Sequence, residues 1–138
     1  MSPNALVPEM AVKDYAASRA FYLDLLGFSL CYERPEEGFG YFTLGTAELM
    51  LDEIGLGRTF DDGHIPTSYP AGRGVNLQIR CAAVDPILKR LAAAKVALYL
   101  APEVAWYRVH GEQQGQRQFV VADPDGYLLR FWEPLSEN

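Results

Sequence analysis

The most constraining stretch of this chain runs from Gly115 to Glu133, Gly-Gln-Arg-Gln-Phe-Val-Val-Ala-Asp-Pro-Asp-Gly-Tyr-Leu-Leu-Arg-Phe-Trp-Glu. Two apolar-rich runs, Gln118 to Ala122 and Tyr127 to Trp132, flank Asp123-Pro124-Asp125-Gly126. Proline presets φ at the first corner and glycine accepts positive φ at the last, so the stretch reads as a β-hairpin. In its second strand Leu129 and Phe131 fall on one face, and Leu128, Arg130 and Trp132 on the other. One face meets a core while the other offers an arginine and an indole. A sheet with helices behind it and such a front is a cup, and the remaining pattern predicts that the cup is built twice.

From the N-terminus, Leu6 to Val12 reads as a strand that Pro8 interrupts, as proline does near a strand start or at a crossing to a neighbour. Asp14 suits a helix N-cap, Tyr15 to Leu26 carries helical spacing, and Gly27 closes the helix. Phe28 to Glu33, Phe39 to Leu44 and Ala47 to Asp52 follow as strands, the last two joined at Gly45-Thr46. Glu53 to Arg73 is rich in glycine and proline and keeps no period, which marks a lid, a boundary or both. The order then repeats. Gly74 to Cys81 alternates, Asp85-Pro86 opens a helix with an N-cap and a first-turn proline, and Val96 to Leu100 is a strand. Trp106 to His110 is extended and Gly111 to Gln116 is a polar connection into the hairpin. The expectation is an α+β chain of two βαβββ modules forming a curved mixed sheet, an internal duplication carried by pattern rather than identity. Residues 1–138 form one domain, with module 1 at about 5–53, a linker at about 54–73 and module 2 at about 74–133.

Composition narrows the partners. The chain has 138 residues, of which 49% are hydrophobic and 22% charged, with a net charge of −6. Nucleic acid would need a concentrated positive surface, and the twelve Lys and Arg are scattered. No apolar run reaches membrane-spanning length and no signal peptide is visible, so the expectation is a cytoplasmic protein. Cys31 and Cys81 read as buried, reduced thiols without zinc-ligand spacing.

Val12 and Asp14, with the helix ending Phe21-Tyr22…Leu26-Gly27-Phe28, and the Asp-Pro-Asp-Gly turn with its alternating strand together resemble the vicinal oxygen chelate superfamily. That superfamily includes glyoxalase I, extradiol dioxygenases and the fosfomycin and bleomycin resistance proteins. The resemblance implies a metal held by strand residues at four positions, which here are Val7, Met50, Asn76 and Arg130. Valine has no lone pair, methionine is soft, asparagine is a poor neutral donor and arginine brings a positive charge, so the set does not suit a divalent ion. Among these relatives the chain looks most like the metal-free bleomycin resistance proteins. Ala5-Leu6-Val7-Pro8 resembles their opening, and Gln116-Arg117-Gln118-Phe119 resembles their Gly-Arg-x-Phe segment, with Gln116 in place of the glycine. The resemblance implies antibiotic resistance by antibiotic binding without chemistry, in a homodimer in which the proline, here Pro8, lets the first strand pass to the partner subunit.

Strand alternation furnishes the cup with Glu9, Phe39, Tyr41, Glu48, Met50, Asp52, Asn76, Gln78, Arg80, Arg130 and Trp132. Trp106 is a further candidate, either as an aromatic wall or as core. Carboxylates, amides and rings on a concave sheet suit an aromatic, cationic small molecule. Alternatively, Arg80 and Arg130 pair with Glu9, Glu48 or Asp52 in a polar interior. His64 and His110 are expected in solvent, and no serine has a histidine beside it to activate it. No cofactor is expected. A metal-dependent lyase, isomerase or dioxygenase with non-standard ligands is the alternative, in which a carboxylate pair such as Glu9 and Glu48 would do acid–base work. A dimeric scaffold or sensor is a third reading.

Overall fold

The computed structural model describes residues 3–135. Its elements are β1 (Glu9–Val12), α1 (Tyr15–Ala20), β2 (Ser29–Arg34), β3 (Phe39–Leu44), β4 (Ala47–Glu53), β5 (Asn76–Arg80), α2 (Asp85–Ala93), β6 (Leu100–Val109), β7 (Glu112–Ala122) and β8 (Leu128–Pro134). They form two four-stranded sheets in the orders β1-β4-β3-β2 and β5-β8-β7-β6. In each, the first strand runs parallel to the last while the other pairs are antiparallel. The fold is thus α+β and built as two βαβββ units. No helix among the described residues is long and apolar enough to cross a membrane.

Local chemistry explains most boundaries. β1 starts directly after Pro8, whose carbonyl accepts the Met50 amide at 2.8 Å. Asp14 Oδ1 caps α1 by accepting the Ala17 amide at 3.1 Å. The helix continues as a π-helical turn over Phe21–Leu25 and ends at Gly27 with φ +83°. Gly27 is required twice over, because Arg90 crosses it closely to donate to the Leu25 carbonyl at 2.8 Å. The expected cap at Asp85 is not found. Asp85 already lies inside α2 and pairs with Arg117 at 2.7 Å, while Glu133 accepts the Val84 amide.

Two further expectations need correction. Val96 to Leu100 is not a strand; β6 begins at Leu100, and residues 112–116 belong to β7 rather than to a connection. The turn between β6 and β7 is His110-Gly111, both at positive φ, the geometry of a tight hairpin. Polar residues on both faces conceal this strand because it projects into solvent. Cys31 is exposed on β2 rather than buried, and Cys81 is half-buried with its thiol pushed up to about 11 by burial.

The back faces of both sheets and both helices share one core. Tyr22, Phe28, Phe42, Phe119 and Phe131 form a continuous run of ring contacts through it. The Asp-Pro-Asp-Gly turn fastens the second unit to the first. Buried Asp123 accepts the Tyr22 hydroxyl at 2.8 Å and the Asp125 and Tyr127 amides; Asp125 accepts the Lys13 amide at 3.0 Å and the Ser18 hydroxyl at 3.4 Å.

Burial raises the Asp123 carboxyl to about 6, against hydrogen bonds that favour its charged form. A carboxyl whose folded value lies above its ordinary 3.8 stabilises the fold at low pH and loses that contribution as pH rises toward 6. Urea unfolding should therefore show stability falling between about pH 4 and 6, and Asp123→Asn in a Glu9→Gln background should flatten that fall. Asp123→Ala strands three donors and should cost about 2–4 kcal/mol.

Candidate functional site

The front faces are built row by row from the strand registers. On the first sheet, Glu9, Met50, Tyr41 and Tyr32 form one cross-strand row, and Ala11, Asp52, Phe39 and Arg34 form the next. Tyr32 stacks on Tyr41 with centroids 5.2 Å apart and planes 19° from parallel, and the Arg34 guanidinium lies 4.2 Å over Phe39. Glu48 accepts the Tyr41 hydroxyl at 3.1 Å. On the second sheet the rows are Gln78, Arg130 and Val120, then Arg80, Trp132 and Gln118. The Arg80 guanidinium sits 5.5 Å over the Trp132 ring. Gln116 donates to Gln118, which donates in turn to Glu103 and Tyr107.

Eleven of the twelve candidate residues lie on these two faces. Glu48, Asn76 and Gln78 line one groove of about 270 Å³, and Asn76 also borders a cavity of about 470 Å³ beside Leu128 and Tyr99. Trp106 does not join them. It pairs across from Gly115, which alternation carries with Arg117 to the opposite face, and it is 60% exposed, so it is neither core nor part of this surface.

Residues 54–75 contain no helix or strand. Part of this linker roofs a cavity of about 340 Å³ on the first sheet, with Glu9, Asp52 and Tyr127 below and Arg58, Thr59, Phe60, His64, Ile65 and Arg73 above. Gly57 passes so close to Asp52 that a Cβ there would meet its Oδ1 at 2.6 Å, which is how a strand carboxylate becomes 3% exposed. Asp52 meets Glu9, not the Glu9–Glu48 combination expected. The hydrogen bond to Asp52, then burial and the Asp52 charge, push the Glu9 carboxyl up to about 7, opposed by Arg58. Parallel register explains the choice: Glu9 sits opposite Met50, two residues from Asp52, on the same face.

The arginines do not close this surface. Among the described residues no ion pair joins Arg80 or Arg130 to Glu9, Glu48 or Asp52. Among the described residues the two buried side-chain atoms without a hydrogen-bond partner are Asp52 Oδ2 and Arg130 Nε, one on each front face. Orphaned polar atoms are costly in a folded interior, and a ligand is one way to satisfy them. The linker was legible as a lid, with Phe60 to His64 as a loop able to close over a cleft, but Arg58 and Arg73 were missed as roof residues, because an aperiodic stretch carries no sign of what each side chain covers.

Val7, Met50, Asn76 and Arg130 occupy strand positions or their immediate approach, and their donors do not fit a divalent ion. Among the described residues no three His, Cys, Asp or Glu side chains are grouped to hold one.

If Asp52 holds the Glu9 proton, Asp52→Asn should return the Glu9 carboxyl toward its ordinary 4.5, read from the pH dependence of its carboxyl carbon NMR shift. A Glu9 midpoint unchanged in that variant would show that Asp52 is not its partner.

The family model described as Glyoxalase/Bleomycin resistance protein/Dioxygenase superfamily matches residues 5–131. A glyoxalase/bleomycin resistance protein/dioxygenase superfamily member from Vibrio splendidus 12B01 is 37% identical over 94% of this chain and 97% of its own, with a TM-score of 0.41. A virulence protein from Salmonella typhimurium shares 14% identity over 98% and 100% of the two chains, with a TM-score of 0.66. A lactoylglutathione lyase from Agrobacterium tumefaciens shares 21% identity over 96% of each chain, with a TM-score of 0.53. No curated protein matches the chain in sequence.

Proposed function

The chain belongs to the Glyoxalase/Bleomycin resistance protein/Dioxygenase superfamily, and from that premise we propose that it is a metal-free binding protein that sequesters a bleomycin-type or similar aromatic, cationic small molecule without transforming it. One observation carries this reading. The front of the first sheet sets a stacked Tyr32–Tyr41 pair and Phe39 in rows beside a buried Asp52 carboxylate whose Oδ2 has no hydrogen-bond partner. Rings and a carboxylate in adjoining rows of one sheet face match a flat ligand bearing positive charge, each ring contact contributing roughly 0.5–1.5 kcal/mol beyond its buried area. Trp132 and the amides of Asn76 and Gln78 extend the same kind of surface on the second sheet.

The working unit in this proposal is a homodimer whose second copy completes the cleft. Val104 and Trp106, 54% and 60% exposed, share one face of the β6–β7 hairpin, an apolar strip that a second copy would cover. Whether the first strand is exchanged at Pro8 belongs to the same proposal.

A metal-dependent lyase, isomerase or dioxygenase would need ligands outside the four family positions. Glu9, with its carboxyl pushed up to about 7, is a cavity-lining group suited to moving a proton. A stoichiometric transition metal retained through dialysis of the purified protein would establish that alternative.

Titrating bleomycin against tryptophan fluorescence should give saturable quenching at micromolar ligand, with sedimentation of the same samples at the mass of two chains. Trp132→Ala should weaken binding by about 1–3 kcal/mol. Absence of quenching, or binding indifferent to Trp132, would contradict the named ligand or its placement.

A further inference from the structure

The cavity under the linker contains a feature that the ring surfaces alone do not require. Asp52 is 3% exposed, lines the cavity, and has an oxygen, Oδ2, that no described donor reaches. The protein's own cations nearby donate no hydrogen bond to Asp52 Oδ2. The Arg58 guanidinium rests 5.0 Å over Phe60, and Arg73 is bonded to the Pro70 and Ser68 carbonyls and the Ser68 hydroxyl. The neighbour able to satisfy Asp52 is the Glu9 carboxyl, and only while it carries a proton.

We propose that Glu9 and Asp52 form a subsite for the amidinium, guanidinium or primary ammonium head of the ligand, which bonds the unpartnered Asp52 Oδ2 in exchange for a proton on Glu9. This deepens the reading of a cationic ligand above and rests on it. A metal ion is disfavoured, because among the described residues the two carboxylates have no third His, Cys, Asp or Glu grouped with them. A planar, multiply donating cation can instead span both carboxylates, as guanidinium and amidinium groups do. Its volume also suits the site, since about 340 Å³ lies at the lower end of the roughly 300–1,000 Å³ typical of small-molecule cavities.

The charges balance on exchange. Before binding, the proton-sharing pair carries one negative charge, which Arg58 faces from the linker. After binding, the pair carries two, met by Arg58 and the incoming cation. The other titratable groups facing the cavity are His64 and Arg73 from the linker and Tyr127 from the approach to β8. His64 is paired with Asp62 at 3.4 Å, and Tyr127 donates to the Ala11 carbonyl at 2.8 Å. Neither competes for Asp52. One proton should therefore leave for each cation bound below about pH 7, and none well above it.

Benzamidine and its neutral counterpart benzamide test this by calorimetry on the full chain, at pH 6 and pH 8.5 and in buffers of different ionisation heat. Benzamidine should bind, benzamide should not, and binding at pH 6 should release close to one proton. Asp52→Asn and Glu9→Gln, each checked for an unchanged melting transition, should weaken benzamidine about ten- to a hundredfold. Equal binding of the two probes, no proton release at pH 6, or wild-type affinity in a folded Asp52→Asn variant would overturn the subsite. Bleomycin quenching that survives in Asp52→Asn would overturn the subsite alone and leave the binding function standing. Asp52-dependent benzamidine binding without bleomycin quenching supports the subsite and removes only the named antibiotic.

Discussion

Everything in this molecule depends on where the Asp123-Pro124-Asp125-Gly126 turn is held. Its two carboxylates reach across from the second βαβββ unit to the Tyr22 and Ser18 hydroxyls of the first helical segment and to the Lys13 amide just past β1. Tyr127, one residue on, donates to the Ala11 carbonyl, and the Asp125 carbonyl accepts the Ala71 amide from the linker. The turn thereby fixes strand, helix and linker of the first unit against the β7–β8 pair of the second. Together with the shared aromatic core it sets the relation of the two front faces, and through Ala71 it helps to hold the linker over Glu9 and Asp52. The Asp123 carboxyl bears the burial cost of this arrangement, and its three hydrogen bonds keep that cost tolerable.

The back and the front of the sheets follow opposite rules. Behind, aromatic rings from both units interlock and leave almost no exposed surface, as close packing demands. In front, charged and polar side chains of both signs stand near one another without ion pairs between them. A structure assembled for stability alone would bring Arg130 to a carboxylate; here Arg130 Nε and Asp52 Oδ2 both lack partners. That unfinished bonding, together with the stacked tyrosines, sets this surface apart from an ordinary polar interior.

Much of this was legible in the sequence because strand alternation is strict. Leu129 and Phe131 inward with Arg130 and Trp132 outward, and Leu49 and Leu51 inward with Glu48, Met50 and Asp52 outward, could be read from period alone, and the front-face residues follow from it. Asp14 and Gly27 marked the first helical segment because capping and positive φ have few residue solutions. Where period fails, legibility ends. Residues 112–116 looked like a connection because a strand wet on both faces has no apolar beat. The Glu9–Asp52 meeting depends on parallel register and on a linker folding back over it, neither of which local spacing encodes. The turn aspartates read as turn-formers, while their longer-range role as ties came from residues more than a hundred positions away.

The direct measurement of the central claim is a crystal structure of the protein grown with bleomycin. The account predicts an intact antibiotic lying on the front faces, with rings against Tyr32, Tyr41 or Trp132 and a cationic group at Asp52. A chemically altered ligand, a ligand seated on the β6–β7 hairpin away from these residues, or a metal ion held among β1, β4, β5 and β8 would contradict it.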